Sequence, residues 1–349
     1  MKQTRNGNAP AWDRWYALGA AVRGRAHVHR QIPCQDKICG LCENGVYVTV
    51  LADGAGSAQF SHYGAEAVCA AVCGLLAERF DRYYACPDAS WVCRNLMTHI
   101  LETLAERAEE LRCHPSDLAS TLLFTAVKGR YCLAGHLGDG VMGYVKDGRL
   151  SVLSAPENGE FANETVFTTS KGALHHLELH KGVTDRIDGF ALMSDGPALF
   201  LYSKRQAAFA PWLDMYMKKS QLLQRDKAGK RMQQVLETEI QPAVTDDCSL
   251  LLLMKDHGFQ GYDTLDAAEK AGLMEKAPSP GHISRRKLRQ WDILLHFLEQ
   301  PRRLSEIAAV TRIRRKYLKK RLRRLCGRNI VLEQNGKYEA LLLMRRGKR

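Results

Sequence analysis

No run of about 18 apolar residues occurs in the 349-residue chain, so no segment reads as a membrane span. The opening stretch, MKQTRNGNAPAWDRWY, lacks the apolar core of a secretory signal, which makes a cytoplasmic location the expectation. Ligand-spaced cysteines are also scarce. The 11 cysteines are an odd and scattered set, and the lone C-x-x-C, Cys39 and Cys42, has neither a second pair nor histidines at ligand spacing behind it. A zinc or redox role for that pair is the minor reading, and most of the other cysteines read as small hydrophobes in a reducing compartment. No internal repeat or low-complexity segment is evident. Acidic residues are few in one region only. Of 51 Lys plus Arg and 38 Asp plus Glu, 21 and 5 fall within Ile283–Arg349, leaving 30 and 33 for the rest. A mildly acidic body therefore carries a strongly basic C-terminal stretch.

The apolar content suffices for a sizeable core, and the length suits one large domain plus a small one. Short β-like runs alternate with two long helical stretches up to about residue 256. Val46–Ala52 is a β-rich run ending at Asp53, while Tyr63–Phe80 and Trp91–Leu111 are apolar at helical spacing. Further strand candidates are Ser120–Val127, Tyr131–Leu137, Val141–Val145, Leu150–Leu153, Thr165–Thr169, Phe190–Met193 and Ser249–Met254. This order indicates an α+β fold with mostly antiparallel sheet rather than a βαβ repeat. Residues 257–282, with Pro278-Ser279-Pro280-Gly281 near the end, read as a linker that holds one short helix near Asp266–Glu275. Within 283–349 the spacing predicts helices over Lys287–Leu298, from Leu304, and over Arg314–Leu325. Strand-like Ile330–Glu333 and Tyr338–Leu343 then flank the turn at Asn335-Gly336. Three helices and a hairpin is the order of a winged helix-turn-helix. The expected domains are thus 1–256, a linker 257–282, and 283–349.

Acidic residues stand at the ends of apolar runs beside turn residues: Asp36, Asp53, Asp139, Asp195, and the pair Asp246-Asp247. Strand ends hold carboxylates rigidly while their heads leave the core. If several converge, their charge calls for a hard divalent cation with oxygen ligands. Two such ions about 4 Å apart can lower the pKa of a shared water and hold a phosphoryl group for in-line attack. Asp-Gly at a strand end is common turn chemistry, and each of these residues alone is more often a turn residue than a ligand.

Taken in order, these segments resemble the motifs of the PP2C family of metal-dependent phosphatases. Gln35-Asp36 resembles its early acidic pair and Ala52-Asp53-Gly54-Ala55-Gly56 its central Asp-Gly motif. Gly138-Asp139-Gly140, Met193-Ser194-Asp195-Gly196 and Thr245-Asp246-Asp247-Cys248-Ser249 resemble the three that follow. The likeness spans about residues 16–255. It implies two packed antiparallel sheets flanked by helices, a four-layer sandwich. It implies a protein serine/threonine phosphatase holding two Mn²⁺ or Mg²⁺ ions, with a third, weaker one. By the same resemblance Asp53 bridges both ions, the Gly54 carbonyl binds the second, Asp195 and Asp246 bind the first, and Asp139 serves the third with Asp195. Asp36 positions water, and Asp247 is an outer candidate. Where many eukaryotic members carry His, this chain has Ala55, and where Glu-Asp is common it has Gln35-Asp36. Arg30 is the best-placed phosphate-gripping arginine, though a surface role is as natural for it. His136 is more readily a buried, hydrogen-bonded histidine than a catalytic one. Gly159–Thr165 lies where the family carries a flap.

The implied partners are a phosphorylated protein and a Ser/Thr kinase that phosphorylates it, with no membrane. The basic stretch 283–349 suits nucleic acid, an acidic protein partner, or plain solvated surface. A phosphatase targeted by this stretch is the first reading; a regulatory protein of similar fold, with little catalysis and a tail that binds DNA or protein, is the second.

Overall fold

A strand buried on both faces alternates its side chains between two partners, and Val46–Ala52 does so here. Val46, Val48 and Val50 join the core under two long helices. Leu51, with Tyr47 beside it, joins a second core between two sheets. The computed structural model describes residues 14–156, 165–258, 261–274 and 284–344. The Gly159–Thr165 flap segment and the Pro278–Gly281 turn fall outside them, except for Thr165.

The chain forms two compact units, one of residues 1–218 and 232–257, the other of 219–231 and 258–349. The first begins β1 (Trp15–Val22), α1 (Arg25–Arg30), β2 (Lys37–Glu43), β3 (Val46–Ala52), α2 (Ser61–Ala85) and α3 (Ala89–Leu111). Next come β4 (Leu122–Lys128), β5 (Tyr131–Leu137), β6 (Val141–Lys146), β7 (Arg149–Ser154), α4 (Ala173–His176), β8 (Glu178–Val183) and β9 (Ile187–Met193). It continues through α5 (Asp195–Leu201), the small hairpin β10 (Tyr202–Ser203) and β11 (Ala208–Phe209), and α6 (Pro211–Lys219). The helix α7 (Arg225–Val235) then contributes to both units, and β12 (Cys248–Lys255) closes the first.

Two five-stranded antiparallel sheets result, in the orders β1-β12-β9-β6-β7 and β2-β3-β4-β5-β8. Their facing sides share one core that includes Trp15, Leu123, Met142, Phe190 and Leu251. On the outer face of the second sheet, α2 and α3 bury Val68, Val72, Leu76, Leu96 and Ile100. This is a mixed helix–sheet sandwich, as the order of apolar runs predicts. One expected strand is absent: Thr165–Thr169 turns instead, with the Phe167 amide donating to Ser170 Oγ at 2.9 Å and Thr168 N to Ser120 O at 2.8 Å. A serine three residues on offers the backbone a local partner that competes with a ladder.

The second unit contains α8 (Ala267–Met274), α9 (Arg285–Phe297), β13 (Arg302–Arg303), α10 (Leu304–Thr311), α11 (Arg315–Gly327), β14 (Val331–Gln334) and β15 (Lys337–Ala340). Its small sheet has the order β13-β15-β14, and Asn335 and Gly336, at φ 52° and 70°, make the tight turn between β14 and β15. Trp291, Leu294, Leu295, Ile307, Leu318, Leu322 and Leu325 are buried in it. Residues 219–231 belong to this core. Gln224 N donates to Leu341 O at 2.7 Å and Leu343 N to Leu222 O at 2.8 Å, and Lys227 Nζ is paired with Glu339 at 2.8 Å.

Candidate metal centre

Antiparallel register brings the acidic residues to one end of each sheet. Lys37 pairs with Ala52, so Asp36 and Asp53 are the next residues beyond that pair. Met193 pairs with Leu250 on one side and Val141 on the other. Asp195, Asp139 and the Asp246–Asp247 segment therefore lie just beyond the same edge. Asp36 is buried and Asp53 and Asp195 are half-buried.

Their electrostatics tie the two sheets together. Burial, with the charge of Asp247 adding to it, pushes the Asp36 carboxyl up to about 7. Burial likewise raises Asp53 well above the usual carboxylate range, with Asp36, Asp195 and Asp246 adding repulsion. Asp195 is pushed up to about 6 by burial and then by Asp139 and Asp246. Carboxylates that raise one another in a part-dry cluster are short of a counter-cation. Among the described residues, Asp36 Oδ1 and Asp195 Oδ1 are buried and accept no hydrogen bond. Two orphaned carboxylate oxygens in an all-oxygen set fit a hard divalent ion.

The other oxygens are held. Ser194 Oγ donates to Asp36 Oδ2 at 2.8 Å and itself accepts from Ser249 N at 3.0 Å. Thr165 Oγ1 donates to Asp139 Oδ2 at 2.5 Å. Asp53 N donates to Thr121 Oγ1 at 3.0 Å, and Thr121 N returns a bond to Asp53 O at 2.8 Å. The next residue must be glycine, because a Cβ on Gly54 would sit 2.9 Å from the backbone and side chain of Ser61. At Gly196 a Cβ would meet Asp247 O at 2.1 Å, so the start of α5 and the closing acidic pair approach as backbone against backbone.

Asp247 has a distinct environment. Its Oδ1 accepts from Gly24 N and its Oδ2 from Gln35 N, both at 2.5 Å, which fastens the loop carrying α1 and Asp36 to the start of β12. His27, on α1, places Nδ1 2.9 Å from Asp247 Oδ1 and Nε2 3.9 Å from Asp246 Oδ1. The Nδ1 approach has a charge pair's distance but misses hydrogen-bond geometry. His27, Asp246 and Asp247 also form the group of possible ligand atoms that lie within 4.8 Å of one another. With both Asp247 oxygens already accepting amides, this arrangement works as a clamp. Sequence reasoning missed His27, and its only signal is a histidine in an otherwise solvated basic stretch.

Arg30 ends α1 and is exposed, and among the described residues no hydrogen bond or ion pair joins it to the carboxylates. Its neighbours Arg23 and Arg25 donate to the carbonyls of Ile32 and Pro242. His136 is buried with Nδ1 against Ser154 Oγ, which donates to Glu178 Oε2 at 2.7 Å, and burial lowers its pKa; it is a buried, hydrogen-bonded histidine. Cys39 and Cys42 do not converge. Three residues apart on β2, they point to opposite faces, Cys39 toward Cys73 in the helix-side core and Cys42 toward Tyr47.

A sandwich edge lined by mutually repelling carboxylates has the chemistry to hold divalent cations. The sequence model described as protein phosphatase 2C matches residues 23–237, and the chain belongs to that family. The family's members are metal-dependent serine/threonine protein phosphatases, and this chain is an enzyme of that class. No curated protein matches the sequence. Among solved structures, the serine/threonine phosphatase of S. agalactiae shares 16% identity over 69% of this chain and 100% of its own, with a TM-score of 0.48. Serine/threonine phosphatase Stp1 from Staphylococcus aureus shares 14% over 73% of this chain and 98% of its own, at 0.46. The catalytic domain of PstP, in complex with two manganese ions, shares 16% over 69% of this chain and 97% of its own, at 0.47.

Proposed function

We propose that the chain hydrolyses phosphoserine and phosphothreonine on proteins at a pair of divalent cations, Mn²⁺ or Mg²⁺. Asp53 would bridge them, with the Gly54 carbonyl, Asp195 and Asp246 as further ligands and Asp139 serving a third, weaker ion. The observation that carries this reading is a cluster in which burial and neighbouring carboxylates raise Asp36, Asp53 and Asp195, beside two orphaned carboxylate oxygens. Bound ions would supply charge neutralisation and a water acidic enough to attack.

The chain's own residues would do the rest. Asp36, oriented by Ser194, holds the attacking water in line with the phosphorus. Arg30 is free to swing onto phosphate oxygens from its exposed position. The water oxygen bonds phosphorus as the ester oxygen leaves; the attacking water gives up a proton to solvent, and the leaving oxygen takes one from solvent to become the serine or threonine hydroxyl. No side chain at position 55 can donate it, since Ala55 has none to give. Within 1–256 the first unit serves as the phosphatase body, while 283–349, packed in one unit with 219–231 and the helix-bearing 258–282 stretch, act as a winged-helix module. That module, built on α9, α10, α11 and the β14–β15 hairpin, brings the enzyme to substrates made by a Ser/Thr kinase.

The test is Mn²⁺- or Mg²⁺-dependent release of phosphate from p-nitrophenyl phosphate. Asp53→Ala and Asp195→Ala should each reduce it by about 100-fold or more, the loss expected for several kcal/mol of charge stabilisation. Full activity in both variants, or in EDTA, refutes the reading.

A further inference from the structure

The second unit shows a feature that phosphatase chemistry does not use. In α11, Leu318, Leu322 and Leu325 are buried at spacings of four and three and fix which side faces the core. The opposite side carries Lys316, Lys319, Lys320, Arg323 and Arg324, all exposed, at spacings that make one stripe, and these five side chains line one surface concavity.

Nothing among the described residues neutralises them. Of the five acidic residues in 283–349, Asp292 pairs with Lys270, Glu306 accepts from Arg303 N, Glu333 accepts from Tyr338 OH, and Glu339 pairs with Lys227. Glu299, at the end of α9, forms no pair with the stripe. Like charges three and four residues apart disfavour a helix, and Arg315 and Lys316 in the first turn oppose its dipole, with no acidic residue there to offset them. A helix that keeps such a stripe against its own stability is matched to an anion that neutralises it.

We infer that the outer face of α11 binds double-stranded DNA through its phosphate backbone, with little sequence preference. From Lys316 to Arg324 the stripe runs about 12 Å along the helix axis, at 1.5 Å per residue. A duplex presents one phosphate charge per ~1.7 Å of its axis, so five cations at this density face a polyphosphate rather than a single phosphate group. The helix width suits a major groove about 12 Å across, with cations on both flanks reaching the two backbones. Tyr317, 64% exposed at the edge of the stripe, gives an aromatic face to sugars or bases. Base edges in that groove are read mainly by Arg alongside Asn or Gln, and α11 contains neither amide, which removes the usual adenine reader.

The test uses the full chain and labelled 20-base-pair duplexes of two unrelated sequences in a fluorescence anisotropy titration. Five phosphate contacts predict a log–log salt slope of about −4.5, an affinity loss of about 500-fold between 50 and 200 mM salt. K319A/K320A/R323A should make the slope shallower by about 3 while leaving p-nitrophenyl phosphate hydrolysis unchanged. The two duplexes should bind within a few-fold of each other. Absence of binding at 50 mM salt overturns the inference, as does an unchanged slope in the triple variant. Preference for a polyglutamate peptide over DNA also overturns it and assigns the face to an acidic protein. Because hydrolysis is read on the same preparation, failure here is distinct from failure of the phosphatase reading.

Discussion

Without metal, this protein should lose stability as the solution becomes alkaline, because the cluster of raised carboxyls is then forced to ionise. In the unfolded chain each aspartate releases its proton near 3.8, whereas in the folded protein Asp36 keeps it up to about 7 and Asp195 up to about 6. Between these values the folded state binds more protons than the unfolded one, so the free energy of unfolding falls as pH rises. From pH 5 to pH 8 Asp36 alone crosses two units of its window, about 3 kcal/mol at 1.36 kcal/mol per unit, and Asp195 adds to it in the same direction. For a unit of this size that is a drop in Tm of about 6–12 °C. Thermal unfolding in EDTA across this range measures it. Mn²⁺ at a hundred times its Kd should return about 2.7 kcal/mol at pH 8, since the cation takes the ionised carboxylates. Asp36→Asn keeps the shape, removes the charge, and should remove the share of the slope that Asp36 contributes. A Tm in EDTA that is level or rises from pH 5 to pH 8 would refute the reasoning, as would an undiminished slope in Asp36→Asn.

Two further outcomes follow from particular contacts. Replacing His27 with Ala removes the ring between Asp246 and Asp247 and should weaken Mn²⁺ activation by about 10–100-fold with kcat at saturating metal far less affected, measured by metal titration of phosphatase activity. Lys227→Met leaves Glu339, only 19% exposed at its side chain, without its cation and should cost about 3–5 kcal/mol, seen as a lower Tm; a change under a degree would deny that the pair is buried.

The acidic set was legible because most members flank an apolar run beside a turn residue, and a strand that starts or stops at a turn puts its flanking polar residue at a sheet edge. Central strands were legible for the same reason: Val46–Ala52 and Tyr131–Leu137 stand where their runs predict. Within the two large sheets, the three strands that gave no signal, β1, β2 and β8, are all sheet edges, where one neighbour is missing. In β2, Lys37–Glu43, no residue is fully buried, so no sharp alternation arises. His27 was hidden for another reason. Its partner Asp247 is 220 positions away, and no local pattern encodes so distant a contact. Residues 219–231 offer little apolar periodicity, since RDKAGKR is largely charged and polar. Yet Lys227 and Arg231 are buried because Glu339 and Asn329 meet them there.

That last segment lies inside the stretch matched by the phosphatase family, residues 23–237, while its packing partners are residues 258–349. The chain thus enters the second unit, leaves it to lay down β12 in the first, and enters it again. In topological terms the two units are interlaced along the sequence, and neither is a cassette that one cut could excise or one fusion could add. A shortened chain ending after β12 would strip Leu223, Lys227 and Arg231 of the partners they pack against, so truncation there would expose a buried lysine and arginine rather than release an independent enzyme.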